Sequence, residues 1–495
     1  MLHAQGPTAW ERSGPVNYGA KPREPLVKAT GLAPKLYTTY TPNSNLQRWK
    51  SINDAIIDWL VNQAPNEVAI NQAEENNFKY FDKLQQKISS ELFSQFRNIY
   101  HKNTADLNAD FPSSSISKFI NDEEVFINAH TQFEFEDEVS TEYVKLKTGK
   151  KGVSDLDKAI ILKTRLENET FYVADLYNND LLEISSIENA DEVIDDNFLL
   201  LEGFINENIK LIPGNHCTLC ERSSSCGEYP SINGEGTKKS YRGIVISKTN
   251  LLNKDNCERQ FAWKTQYGIP KEEKESDPFP MKVGISFHKF SGMMLLNNQD
   301  SQKSGEIERL KNLLKEEDGE VAIEVIKKYE QLLNQIKDFN NLEITARERV
   351  LGFTAITDAI VQNKSHKVYE GKIAATFMGS ADLVGRLDGA PLVVELKTGA
   401  QLPQHSAEAE LYALGAFIQT KEKEVVVLHI YVSDKEEKIV ERRFTHDQIE
   451  ALKEKFDSIA KTIGQWDPSD ALQPGFSEGD WCNFCDFQKT CLEFR

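Results

Sequence analysis

The 495-residue chain has no long hydrophobic run. Nowhere do apolar residues approach the ~20 in succession that a membrane helix needs, so no segment is expected to cross a bilayer as a helix. The opening stretch MLHAQGPTAWERSGPVNYGAKPREP lacks the basic start and apolar core of a signal peptide, and an intracellular, cytoplasmic protein is expected. No Walker A sequence occurs, so any nucleotide-driven motor of that type must be a separate protein. Positive charge is the minority sign: 58 Lys and Arg face 77 Asp and Glu, a net charge of -19, which disfavours indiscriminate binding of polyanions by the whole surface. A local basic groove is still allowed. Residues 237–250 hold Lys238, Lys239, Arg242 and Lys248 with no carboxylate among them, which reads either as a grip on phosphates or as a solvated basic turn and strand.

Cysteine is scarce, and its seven residues are an odd number that argues against a full set of disulfides. Their grouping points to metal. Cys217, Cys220 and Cys226 are spaced C-x2-C-x5-C, and Cys482, Cys485 and Cys491 repeat that spacing. The repeat suggests a duplication. Two thiolates on one tight turn can share a soft cation, and the third closes the cage from the following turn. Each triplet needs a fourth ligand, and only Cys257 remains. Distance along the chain favours a local Zn2+ knuckle of Cys217, Cys220, Cys226 and Cys257. Closure of the C-terminal triplet by Cys257 is the alternative, leaving His216 or an oxygen ligand for the other set.

Residues 1–50 are rich in Pro, Gly, Asn and Thr and show no sustained period, as expected of an extended arm. The runs SINDAIIDWLVNQ and NFKYFDKLQQKISSELFSQFRNIY carry apolar residues at helical spacing, and shorter runs from about 125 to 212 read as strands. Residues 51–230 are thus expected to form an N-terminal α+β domain that ends in the first Cys triplet, with a boundary in GEYPSINGEGTKKS. In residues 240–495 the pattern is strand, two amphipathic helices over 301–340, strands in KVYEGKIAATFMGSADLVGRLDG, PLVVELKTG and EVVVLHIYVSD, and a helix HSAEAELYALGAFIQ. Thr445 and Gln448 predict a capping box. KLKTGK at 145–150 parallels ELKTGA at 395–400, so the first half reads as a degenerate copy in which Lys145 stands for Glu395, although LKTG is short enough to recur by chance.

Glu395 and Lys397, two apart on a strand, share a face, and a hairpin carrying Asp382 brings a second carboxylate to them. Two carboxylates can hold Mg2+ or Mn2+ through hard oxygens, and an adjacent ammonium can orient a water, which together is phosphodiester hydrolysis chemistry. Asp388 in GRLD is a competing acid. Residues 240–495 resemble the PD-(D/E)XK nuclease superfamily, in particular its RecB-like iron-sulfur branch, which includes CRISPR-associated RecB-like and AddB-type nucleases. The resemblance implies an α/β restriction-endonuclease-like core with a helical insertion. It implies Asp382, Glu395, Lys397 and Tyr412 as catalytic residues, with His288, four residues after Gly284, joining Asp382 and Glu395 as metal ligands. It further implies a [4Fe-4S] cluster on Cys257, Cys482, Cys485 and Cys491, with Zn2+ an option at Cys217, Cys220 and Cys226. The family's Q-x3-Y is departed from: Glu408 stands where Gln is expected, four residues before Tyr412. The implied activity is that of a metal-dependent deoxyribonuclease on single-stranded DNA or DNA ends, an exonuclease of repair, recombination or antiviral defence. A separate helicase or another repair, defence or CRISPR protein is the implied partner. The alternative is a non-catalytic nucleic-acid-binding or scaffold subunit with structural metal sites.

Overall fold

The structure, a computed structural model, describes residues 2–3, 45–61, 67–103, 108–110, 116–120, 123–127, 131–134, 141–147, 155–176, 179–187, 189–195, 224, 228–238, 241–271, 279–296, 306–314, 319–337, 339, 341–362, 367–433 and 436–494. Most of the expected arm, and all of Cys217, Cys220 and Cys226, lie outside the described residues.

The C-terminal half is built on a mixed sheet. Its strands are β1 (Arg242–Ser247), β2 (Leu342–Gln362), β3 (Val368–Leu387), β4 (Ala390–Lys397), β5 (Glu424–Ser433) and β6 (Glu436–Thr445), in the order β2-β3-β4-β5-β6. β1 pairs in parallel with the first part of β3, beside the stretch of β3 that pairs with β4. β4 and β5 are parallel, and the other neighbours antiparallel. The sheet is covered on both faces, which explains the unbroken apolar run in these strands. Val425 and Val427 enter a core with Leu411, Phe456 and Phe261, while Val426 and Leu428 enter another with Val283, Phe287 and Tyr329. The first layer contains α5 (Lys248–Lys254), α6 (Glu258–Thr265), α10 (His405–Thr420) and α11 (His446–Gly464). The second contains α7 (Phe279–Leu296), α8 (Glu306–Leu313) and α9 (Gly319–Ile336), the last two being the expected helical insertion. The Thr445–Gln448 capping box is present.

The helices of the described N-terminal part begin with α1 (Asn45–Val61), α2 (Glu67–Phe78) and α3 (Lys83–Asn103). The continuous apolar periodicity over 77–100 is broken at Asp82, whose carboxylate accepts the Gln85 N–H at 2.9 Å and starts α3. These helices pack onto the C-terminal half. Leu84 lies in the first core layer, Arg48 donates to Gln85 Oε1 (2.7 Å) and to the Gly268 carbonyl (2.8 Å), and the Ala471 N–H reaches Asp82 Oδ2 at 3.0 Å. The Gly/Ser/Pro segment is likewise pinned: Ile232 N–H donates to Thr354 O and Thr354 N–H to Pro230 O.

A second sheet in the N-terminal half repeats part of this connectivity. Thr131–Glu134 runs antiparallel to Thr141–Lys147, helix α4 (Asp155–Thr164) follows, and Glu169–Asp175 returns parallel to Thr141–Lys147 with Asp180–Glu183 antiparallel beside it. The order β3-β4-α10-β5-β6 is the same. KLK and ELK therefore end topologically matching strands.

Candidate active site

Strand β4 ends in Glu395, Leu396 and Lys397, and its alternation sends Leu396 into one core layer and its two neighbours toward α10. The register Leu383↔Val394, continued by one residue, sets Asp382 opposite Glu395. Asp382 Oδ2 accepts the Leu396 N–H at 2.7 Å and lies 3.0 Å from His288 Nδ1. Lys397 Nζ is 3.0 Å from Glu395 Oε1, on the shared face expected from their spacing. Helix α10 presents Glu408 and Tyr412 to the same pocket: Tyr412 OH donates to Ser380 O (2.6 Å) or Glu395 Oε2 (3.0 Å), and Glu408 Oε2 meets Lys397 Nζ at 2.7 Å and His429 Nε2 at 3.1 Å.

Asp382 sits inside β3 and not at the turn of the hairpin. The turn belongs to Asp388 and Gly389, both at positive φ (50° and 86°), and Asn341 Nδ2 donates to Asp388 Oδ1 at 2.8 Å. Asp388 is thus a turn former, and the competing acid is eliminated from the cluster. Gly284 and His288 lie within α7, not at its start, and a Cβ on Gly284 would stand 3.3 Å from Thr398 Oγ1. That close approach lets α7 lie against the end of β4, which brings His288 to Asp382.

Lys248 is a member of the cluster that motif reading did not assign. Its Nζ lies 2.6 Å from Glu395 Oε1, 2.7 Å from Tyr412 OH, 3.2 Å from Ser380 O and 3.2 Å from Glu408 Oε1. The signal available was its place directly after the apolar strand RGIVIS. Of the rest of the basic stretch, Arg242 is buried and donates to Gln266 Oε1 at 2.8 Å, Lys238 is exposed, and Lys239 is outside the described residues. The stretch is thus no continuous phosphate grip, because its cations point to different surroundings.

Burial dominates the electrostatics. Glu395 is 2% exposed, and burial, with Asp382 next to it, pushes its carboxyl up to about 7 against the attraction of Lys248 and Lys397. Burial acts likewise on Glu408, but His429, Lys248 and Lys397 outweigh it and hold Glu408 well below its ordinary value. Burial opposes the charge on Lys248 and Lys397, yet the surrounding carboxylates raise both. Desolvation of His288 is outweighed by Asp382, which raises the imidazole and is itself lowered against its own burial. Among the described residues no three of the His, Cys, Asp and Glu side chains stand as a set that could hold a metal ion as they are. The donor chemistry nonetheless suits a hard cation, since it is made of carboxylate oxygens, and two ammonium groups, those of Lys248 and Lys397, already gather on Oε1 of Glu395.

Residues 245–492 match the family described as the PD-(D/E)XK nuclease superfamily. The chain belongs to that superfamily. Members typically use Mg2+ or Mn2+. No curated protein sequence matches the chain. A solved structure titled "Crystal structure of SSO0001" is similar at 16% identity over 50% of this chain and 84% of that one, with a TM-score of 0.21.

The superfamily domain closes on its own C-terminus. Cys257 precedes α6 as its N-cap; Cys482 lies in a short 3-10 helix (Asp480–Phe484), and Cys491 in α12 (Gln488–Glu493). The side chains of Cys257, Cys482, Cys485 and Cys491 line one pocket together with Trp263, Trp481 and Phe487. Arg259 fastens the tail to α6 by donating to the carbonyls of Leu472 (2.9 Å), Pro474 (3.2 Å) and Phe494 (3.3 Å). Trp263 Nε1 donates to Ala471 O at 2.6 Å. No helix among the described residues is long and apolar enough to cross a membrane.

Proposed function

We propose that the protein is a metal-dependent deoxyribonuclease that hydrolyses phosphodiester bonds in single-stranded DNA or at DNA ends. The observation that carries this reading is the meeting of Asp382, Glu395 and Lys397 in one side-chain cluster, with Lys397 Nζ 3.0 Å from Glu395. Asp382, Glu395 and His288 are the residues that would hold Mg2+ or Mn2+, whose Lewis acidity neutralises charge on the phosphodiester and acidifies water. Leu396 N–H and His288 fix the Asp382 carboxylate, and Tyr412 fixes that of Glu395, so both acids are oriented before substrate arrives. Lys397 is placed to orient the attacking water and to offset charge on the phosphate. Exposed Met281 and Ile285 lie on the His288 side of α7 and offer an apolar surface to unstacked bases, in keeping with a single strand.

The four thiols lining one cavity support a [4Fe-4S] cluster on Cys257, Cys482, Cys485 and Cys491, because a cluster needs its ligands arrayed around a volume and not converging on a point. The shared connectivity of the two sheets supports a degenerate first copy over 51–230, with Zn2+ an option at Cys217, Cys220 and Cys226. A separate helicase or another repair, defence or CRISPR protein is the partner class proposed for this nuclease, because these 495 residues hold no Walker A sequence. The test is incubation of the purified full-length protein with end-labelled single-stranded and duplex DNA. Nucleotide release that requires Mg2+ or Mn2+, stops with EDTA and is faster on the single strand is expected. Metal-independent release, or none on either substrate, contradicts the reading.

A further inference from the structure

Lys248 begins α5 directly after β1, and the Ser247 hydroxyl, accepting the Asn250 N–H at 3.3 Å, caps that helix. The start of the lysine side chain is therefore set by the fold. Its Nζ lies 5.3 Å from the centre of the Tyr412 ring and meets four oxygens, those of Glu395, Tyr412, Ser380 and Glu408. An ammonium in a cradle of oxygens is a stand-in for a hard cation. It rests on Glu395, the carboxylate that the proposed metal must share.

Glu408 is the second half of the device. Its Oε2 is anchored by Lys397 (2.7 Å) and His429 (3.1 Å), so the carboxylate is held from behind. Its Oε1 is buried and makes no aligned hydrogen bond, although Lys248 Nζ is only 3.2 Å away. A buried carboxylate oxygen in ion-pair contact with a cation but without an aligned hydrogen bond is placed to accept one. The charges agree with this pairing. Lys248 and Lys397 each pair with both Glu395 and Glu408, so the two ammonium groups are shared between the same two carboxylates.

We propose that Lys248 is a positioning residue whose ammonium occupies Glu395 until a divalent ion displaces it, and that Glu408 then receives the ammonium. The proposal rests on the metal-dependent reading of the same site. In the metal-free protein Lys248 keeps Glu395 oriented, and the exchange sets how tightly the site takes metal.

The experiment is Mn2+ titration of the full-length protein by calorimetry at pH 8 without DNA, with thermal melting to verify folding. Lys248→Met removes the competing cation and is expected to tighten Mn2+ binding about tenfold or more. Glu408→Gln removes the receiving carboxylate and is expected to weaken binding several-fold, whereas the double variant is expected to bind as Lys248→Met does, because no ammonium is left to receive. Should Lys248→Met fail to fold, the opposite shift expected of Glu408→Gln still decides. Unchanged or weaker binding in Lys248→Met, or tighter binding in Glu408→Gln, overturns the proposal. If Mn2+ binds wild type, is lost in Glu395→Gln and ignores Lys248→Met, this proposal falls and the nuclease reading stands. If wild type neither binds Mn2+ nor cleaves DNA, both fall.

Discussion

Glu395 concentrates the chemistry of the site because it is the most conflicted group in it. Burial lifts its carboxyl from an ordinary 4.5 to about 7, so between those values the folded chain holds a proton that the unfolded chain has released. Stability contributed by this group therefore falls as pH rises through that window. His288 acts in the same direction, since its raised imidazole stabilises the fold below its ordinary 6.5 and stops doing so as pH passes its folded value. Asp382 and Glu408, both lowered, lose their contribution only in acid below this window. His405, lowered to about 4 by burial, and His429, also lowered by burial, contribute in the opposite sense, so the share of Glu395 is read by difference. Relative to Glu395→Gln, the metal-free wild type is expected to lose stability between pH 5.5 and 8, and a pH profile of melting identical in the two proteins contradicts the assignment. At this scale the sequence was readable for placement where a motif guided it: Asp382, Glu395, Lys397, Tyr412 and His288 do meet. Lys248 was not readable, because only the parallel pairing of β1 with β3 carries a residue 147 positions away to Glu395.

Among the elements, the contact between α6 and the C-terminal tail is the one that sequence spacing left open. Cys257 could have joined either triplet on spacing alone, and the tertiary fold lines it up with Cys482, Cys485 and Cys491 in one cavity. Arg259 gives this closure its strength through three carbonyls contributed by the tail. Arg259→Ala is expected to cost about 2–4 kcal/mol in denaturant unfolding, since it removes charge-assisted hydrogen bonds and leaves carbonyls without their donor. A loss under 0.5 kcal/mol contradicts that role. For the proposed cluster, wild-type protein is expected to carry iron with visible absorbance and Cys257→Ser to lose both; iron-free wild type, or full retention of iron in Cys257→Ser, counts against a cluster on these thiols. The strands announced by β-branched runs, β1, β4 and β5, were legible. β2 was not, because LEITARERV at its start mixes charge and apolar residues without strict alternation, and its strand form is set by pairing with β3 over nearly its whole length.

For the whole molecule, the strands of the N-terminal and C-terminal halves belong to separate sheets among the described residues, while helices of the first half pack on the second. Helices α1 and α3 lend Arg48, Asp82, Leu84 and Gln85 to the surface of the superfamily domain. Composition cannot report such docking, because a helix face buried against its own domain and one buried against another read alike. Arg48 is buried, and desolvation lowers its guanidinium to about 10. Arg48→Ala is expected to cost about 3 kcal/mol and to lower the melting temperature of the C-terminal half along with the first. Separate transitions with the second unchanged contradict that coupling. The account stands most directly on the rate of single-turnover cleavage of end-labelled single-stranded DNA in Mn2+ by Glu395→Gln, compared with wild type at equal folding. A loss of at least about a hundredfold is predicted. Cleavage at the wild-type rate contradicts the assignment of this cluster as the hydrolytic site.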